Sequence, residues 1–77
     1  MKYLINYDSA DAWYLQGKSL FGLEKYDEAI KCYEKAILIN KAFSDSWFAL
    51  GEALERSGSF SEAKKFYNKA FQLRGNQ

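Results

Sequence analysis

Apolar residues in this chain recur at spacings of three and four. Trp13, Gly17 and Leu20 form one stripe, and Tyr26, Ala29, Ile30, Tyr33, Ala36 and Ile37 form a second. Trp47, Leu50, Gly51 and Leu54 form a third, and Phe60, Ala63, Tyr67, Ala70 and Phe71 a fourth. This is the period of an amphipathic helix, not the alternation of a strand. Polar breaks separate the stripes at 22–25, 40–44 and 57–59. The pattern therefore predicts an all-α fold with four helices, near 9–22, 25–40, 44–57 and 60–74. The breaks carry suitable chemistry. Gly58 suits a left-handed helix terminus. Ser59, Phe60, Ser61 and Glu62 read as a capping box for the fourth helix. Asp27 and Glu28 place negative charge at the start of the second, which favours the helix dipole. Asn40 to Ser44 make the middle turn, and Phe43 or Ser44 opens the third helix.

The four stripes are two copies of one unit. Residues 10–43 lie over residues 44–77 without a gap, and ten of the 34 positions are identical. The pairs include Asp11/Asp45, Trp13/Trp47, Gly17/Gly51, Leu20/Leu54, Glu28/Glu62, Ala29/Ala63, Tyr33/Tyr67 and Ala36/Ala70. A fixed period of this length is the signature of stacked supersecondary units. The chain then divides into an N-terminal segment, 1–9, and repeats at 10–43 and 44–77. The segment echoes the repeat too, since Leu4-Ile5-Asn6 precedes Leu38-Ile39-Asn40 by 34 residues. It reads as the remnant of a preceding unit. Gly17 with Ala29, and Gly51 with Ala63, predict places where two helices approach closely, with the large rings filling the wider gaps on either side.

Composition narrows the function. Apolar residues are 48% of the 77 and charged residues 27%, which is globular rather than disordered. Two Trp, six Tyr and six Phe demand a packed surface, internal or on a partner. The net charge of +1 excludes a strong field for nucleic acid or acidic lipid. No His is present, so the usual neutral-pH proton shuttle is missing. The single Cys32 excludes an internal disulfide and a Cys/His zinc cluster. Residues 1–7 do not form a secretory signal. No uncharged run approaches the ~20 residues of a membrane span. The expected compartment is the cytoplasm, and no cofactor, metal, nucleic acid or membrane partner is expected.

Candidate chemistry is sparse. Ala12 to Ser19 fits a relaxed phosphate-loop pattern, but Trp13, Tyr14, Leu15 and Gln16 are bulky and fall mid-helix, where a strand followed by small residues is required. Cys32 aligns with Phe66 and reads as a packed thiol. Glu52/Glu55 and Asp27/Glu28 read as solvated or helix-start charges. Lys31, Lys35, Lys64, Lys65 and Lys69 fall on the second helices beside Glu28, Glu34 and Glu62. Glu28 to Lys31 and Lys35, and Glu62 to Lys65, have spacings that suit local ion pairs.

The residues Trp47, Leu50, Gly51, Leu54, Gly58, Phe60, Ala63, Tyr67 and Ala70, with Trp13, Gly17, Leu20, Tyr26, Ala29, Tyr33 and Ala36, resemble the tetratricopeptide repeat twice over. Departures are Gln16 for the usual Leu, Glu24 for Gly, and Lys41 and Gly75 for Pro. The resemblance implies a right-handed superhelix of helix pairs and a non-catalytic module that binds a protein or peptide. It places the groove at Asp11, Tyr14, Lys18, Phe21 and Gly22, then Asp45, Phe48, Glu52, Glu55 and Arg56. Family members that clamp a chaperone's C-terminal carboxylate use basic residues and Asn there. Tyr14, Lys18 and Ala49 do not complete that clamp, so an apolar or aromatic-anchored peptide or helix is the expected ligand. Repeats of this kind cannot bury their own apolar faces, and about three units are usually needed. Tyr67, Ala70, Phe71 and Leu73 would then form an open stacking end. Homo-oligomers, or membership of a longer array, are the alternative expectation.

Overall fold

The computed structural model describes residues 9–75. They form four helices: α1 (Ala10–Gly22), α2 (Tyr26–Ile39), α3 (Ser44–Arg56) and α4 (Phe60–Gly75). Every end lies within one residue of the limit read from the pattern. The Leu4-Ile5-Asn6 echo falls outside the described residues. α1 packs on α2, α3 on α4, and α2 on α3 across the repeat junction, while α1 touches α3 only lightly.

Local chemistry sets the helix ends. Ser9 caps α1, its Oγ accepting the Ala12 N–H at 3.0 Å. Both helix pairs turn through the same C-terminal motif. After α1, the Lys25 N–H donates to the Leu20 carbonyl at 2.9 Å and the Glu24 N–H to Phe21 at 2.9 Å. After α3, the Ser59 N–H donates to Leu54 at 2.8 Å and the Gly58 N–H to Glu55 at 3.1 Å. Two nested bonds of this kind require a left-handed residue between them. Gly58 supplies it with φ 100°, and Glu24 with φ 64°. Gly22, which the sequence places in the first break, is instead still helical.

The junction between repeats is built differently. Asn40 Oδ1 accepts the Ala42 N–H at 3.0 Å, an Asx-type turn. The Trp47 indole N–H donates to the Lys41 carbonyl at 2.9 Å, tying α3 to the turn before it. Phe43 stands at the start of α3 and makes no side-chain cap bond. Its ring lies 5.1 Å from that of Tyr14 instead.

The core sits at the junction of α2 and α3. Ala29, Tyr33, Ile37, Ala49, Leu50, Ala53, Leu54 and Ala63 form one buried cluster. Small residues let the helices approach, and Tyr33 and Leu50 fill the space between them. The glycines act through rings more than through bare backbone. A Cβ on Gly17 would stand 2.5 Å from the Tyr33 ring, and one on Gly51 would stand 2.9 Å from the Tyr67 ring. At Gly51 backbone also crowds the position, the Ala63 carbonyl oxygen lying 3.2 Å away. At Gly17 a tyrosine ring is laid across the glycine. A ring buries far more apolar area there than a methyl group would.

Candidate functional site

The two repeats carry equivalent faces in unequal surroundings. In the first repeat, α3 covers the face of α2. Tyr33 is 1% exposed, Ala36 0% and Ile37 9%. One repeat later the same positions are Tyr67, Ala70 and Phe71. Ala70 is buried at 3%, Tyr67 is half-buried, and Phe71 is 79% exposed. Phe48, the counterpart of Tyr14, is 45% exposed. Its ring packs 5.1 Å from that of Tyr67. Phe48, Tyr67, Asn68, Ala70, Phe71 and Arg74 line a cleft of about 300 Å³ on this face. Leu73, placed at the stacking end by the sequence, is half-buried and is not among the lining residues.

The remaining groove positions separate into distinct pairings. Tyr14 is half-buried at the repeat junction, between Tyr33 at 6.0 Å and Phe43 at 5.1 Å. Lys18 Nζ lies 5.8 Å from the Tyr14 ring centre. Phe21 packs edge-on against Tyr26 at 5.3 Å, and the Arg56 guanidinium lies 5.2 Å over it. Asp45 accepts from Arg74 at 3.0 Å across α3 and α4. Glu55 Oε1 accepts the Tyr67 hydroxyl at 2.6 Å. Glu52 is half-buried and Asp11 exposed. Tyr14, Phe21 and Phe48 therefore do not form one continuous open row; Phe48 alone of the three is exposed.

Electrostatics follows this packing. Burial pushes the Tyr67 phenol well above its ordinary pKa, helped by its bond to Glu55 and by the charges of Glu55 and Glu52. Burial does the same to Tyr33, with smaller contributions from Tyr14 and Glu52. One carboxylate, Glu52, thus acts on both tyrosines. Burial also raises the Cys32 thiol, which Lys35 only partly offsets. A buried thiol held protonated is a poor nucleophile. Residues 12–19 lie inside α1, where backbone amides are engaged within the helix and form no phosphate cradle. Among the described residues no cluster of His, Cys, Asp or Glu could hold a metal ion. No described helix is long and apolar enough to cross a membrane.

The lysines behave differently from expectation. Lys35 Nζ lies 4.9 Å over the Trp13 ring and Lys69 Nζ 5.7 Å over the Trp47 ring, at equivalent positions in the two repeats. Among the described residues, the ion pair formed is Arg74–Asp45, not those expected between Glu28 and Lys31 or Lys35, or between Glu62 and Lys65. An exposed i,i+3 pair stabilises little, whereas an indole face attracts the ammonium and also covers its stem. Sequence reasoning missed Asn68 and Arg74 as cleft residues. Asn40, the counterpart of Arg74, gave no hint of a cation there. It also missed an apolar depression of about 340 Å³ between α2 and α4, walled by Ile37, Leu38, Trp47, Leu50 and Phe66.

Paired helices repeated in register, with a cleft of rings at one face, define a helical-repeat protein. Residues 10–43 and residues 44–77 each match a tetratricopeptide repeat model. The chain belongs to the tetratricopeptide repeat family, whose members are generally non-catalytic interaction repeats. Two solved structures of MamA superpose on 91% of the chain. One has a TM-score of 0.88 at 26% identity, the other 0.83 at 34%. The chain spans 41% and 38% of those two proteins. Among curated proteins none matches in sequence.

Proposed function

We propose that this protein is a non-catalytic module that holds an apolar helix or peptide of a protein partner in the cleft between α3 and α4, and that it works in the cytoplasm. One observation carries the reading. The face of α2 that α3 covers has its register equivalent on α4, and there Phe71 stands 79% exposed beside the cleft. A helix seated on α4 as α3 sits on α2 would bury that ring. Full burial of one such side chain contributes about 1.5–3 kcal/mol. Asn68 and Arg74 then supply polar contacts beside the rings of Phe48 and Tyr67. The test is a titration of isotope-labelled protein with a leucine-rich amphipathic peptide. Amide shifts should centre on Phe48, Tyr67, Ala70 and Phe71, and Phe71→Asp should remove them while helicity is retained. Shifts centred on Leu38 and Phe66 would reject the site.

A second reading is self-association through the repeat ends. Leu15 supports it. It occupies the register position of Ala49, which is 3% exposed at the junction, yet Leu15 itself is 61% exposed. Apolar groups thus stand at both ends, Leu15 on α1 and Phe71 on α4. Under this reading the mass by light scattering rises above 8.9 kDa with concentration. Phe71→Asp returns it to the single-chain value.

A further inference from the structure

The first helix of this chain has the face that the last one lacks. We infer that the cleft takes α1 of a second copy, with Leu15 entering between Phe48 and Phe71, so that copies join head to tail. This rests on the cleft being a helix site, as proposed above.

The α2–α3 junction is the template. Ile37 and Ala49 are buried together there, in one cluster. Their counterparts one repeat away, Phe71 on α4 and Leu15 on α1, are 79% and 61% exposed. A contact of α4 with α1 of the next copy would therefore continue the internal interface by one repeat. Ala12, Leu15, Gln16 and Ser19 stand at the positions of Ser46, Ala49, Leu50 and Ala53. None of the four is charged, so this stripe costs little to take out of water. Leu15 is larger than Ala49, and the cleft of about 300 Å³ beside Phe71 has room for it. Gln16 and Ser19 make the contact more polar than the internal one, as suits a reversible association. The direction follows from the same template. Successive helices joined by short turns run antiparallel, so the first turn of α1 would lie beside the last turn of α4. Asp11 precedes Leu15 by four residues and Arg74 follows Phe71 by three, which brings carboxylate and guanidinium to one level. Their internal counterparts, Asp45 and Asn40, flank the turn between α2 and α3. Arg74 already holds Asp45 at 3.0 Å, so Asp11 joins an existing pair and sets register more than affinity. A contact between two different faces leaves one of each open at every step, so growth does not stop at two copies.

Light scattering of the full chain across a concentration series tests this, with Leu15→Lys and Phe71→Lys as variants. Both side chains are exposed, so helicity by circular dichroism should be unchanged in each. The unaltered protein should pass twice 8.9 kDa as its concentration rises toward about 1 mM. Each variant alone should stay at the single-chain mass, its association weakened at least about tenfold. An equimolar mixture of the two should reach twice the single-chain mass and stop there. One variant keeps the Phe71 face and the other the Leu15 face, so only one contact can form. Association that survives Leu15→Lys means a two-fold contact through Phe71 and overturns the inference. A mixture that stays at the single-chain mass overturns it as well. So does an unaltered protein that remains a single chain at about 1 mM. In that case the leucine-rich peptide decides the cleft: amide shifts at Phe71 leave it standing with a foreign partner, and their absence rejects the cleft too.

Discussion

Glu24 and Gly58 occupy the same left-handed position in the two repeats, with φ 64° and 100°. The two nested backbone bonds are the same in both turns, so the pair compares a side chain with none in this conformation. An L-residue there costs roughly 1–2 kcal/mol, of which a glycine returns about 0.4–1 through its freer unfolded state. Glu24→Gly should therefore raise the denaturation free energy by about 0.5–1 kcal/mol, seen as a higher urea midpoint. Gly58→Ala should lower it by about 1 kcal/mol. Nothing lies within 4 Å of a Cβ at Gly58, so that loss contains no steric clash. Gly17 is the opposite case, limited by space. A Cβ there would stand 2.5 Å from the Tyr33 ring, so Gly17→Ala should cost about 1–3 kcal/mol by overpacking. An unchanged thermal midpoint would show that Tyr33 moves aside freely. Ser46 is fully buried, its Oγ has no hydrogen-bond partner among the described residues, and its counterpart in the first repeat is Ala12. Ser46→Ala should be neutral or stabilise by up to about 1 kcal/mol, because it removes an unmet polar group. A clear loss of stability would mean the hydroxyl has found a partner.

At the scale of the element, each second helix lays a tyrosine over a glycine of the first. Tyr33 and Tyr67 therefore lock α1 to α2 and α3 to α4. Both phenols have pKa values raised above the usual 10.0 by burial. A raised pKa means the folded state holds its proton when the unfolded chain has released it. The sign follows from linkage: stability is full below pH 10 and falls as pH rises above it. Alkaline titration of unfolding should show this loss beginning near pH 10, and Tyr33→Phe should make the decline shallower. An identical alkaline limb in the variant would assign the loss to other groups. The helix starts obey a second priority. Phe43 opens α3 without a side-chain cap bond and packs on Tyr14 instead. A cap is worth about 1 kcal/mol, and burying a ring against another is worth more.

For the molecule as a whole, the repeat makes one face buried and its equivalent open. Ile37 and Phe71 are the same position one unit apart, at 9% and 79% exposure. Phe71→Asp should thus leave the intramolecular fold intact, with the urea midpoint unchanged within about 0.5 kcal/mol. Ile37→Asp should unfold the protein, since an unpaired charge would enter the α2–α3 core. Comparable destabilisation by the two variants would place Phe71 in a packed setting.

The repeat, the helix number and the ends of all four helices were legible in the sequence, because they depend on local spacing. Apolar residues three and four apart can bury one side only as helices, and Gly58 and Asn40 end them through their own backbone or side-chain chemistry. The family was legible for the same reason, since Trp, Gly, Tyr and Ala recur at a fixed interval of 34 residues. Only the tertiary structure decided which rings stay exposed. Tyr14 and Phe48 are alike in local sequence, yet Tyr14 meets Phe43 from the next helix and Phe48 does not. The lysine–tryptophan pairs, the Arg74–Asp45 bridge and the Tyr67–Glu55 bond likewise join residues 12 to 29 apart, or fall on faces that spacing alone leaves ambiguous. Local sequence sets the shape and stripe of each helix; which stripes meet, and which remain open for a partner, depends on contacts between helices.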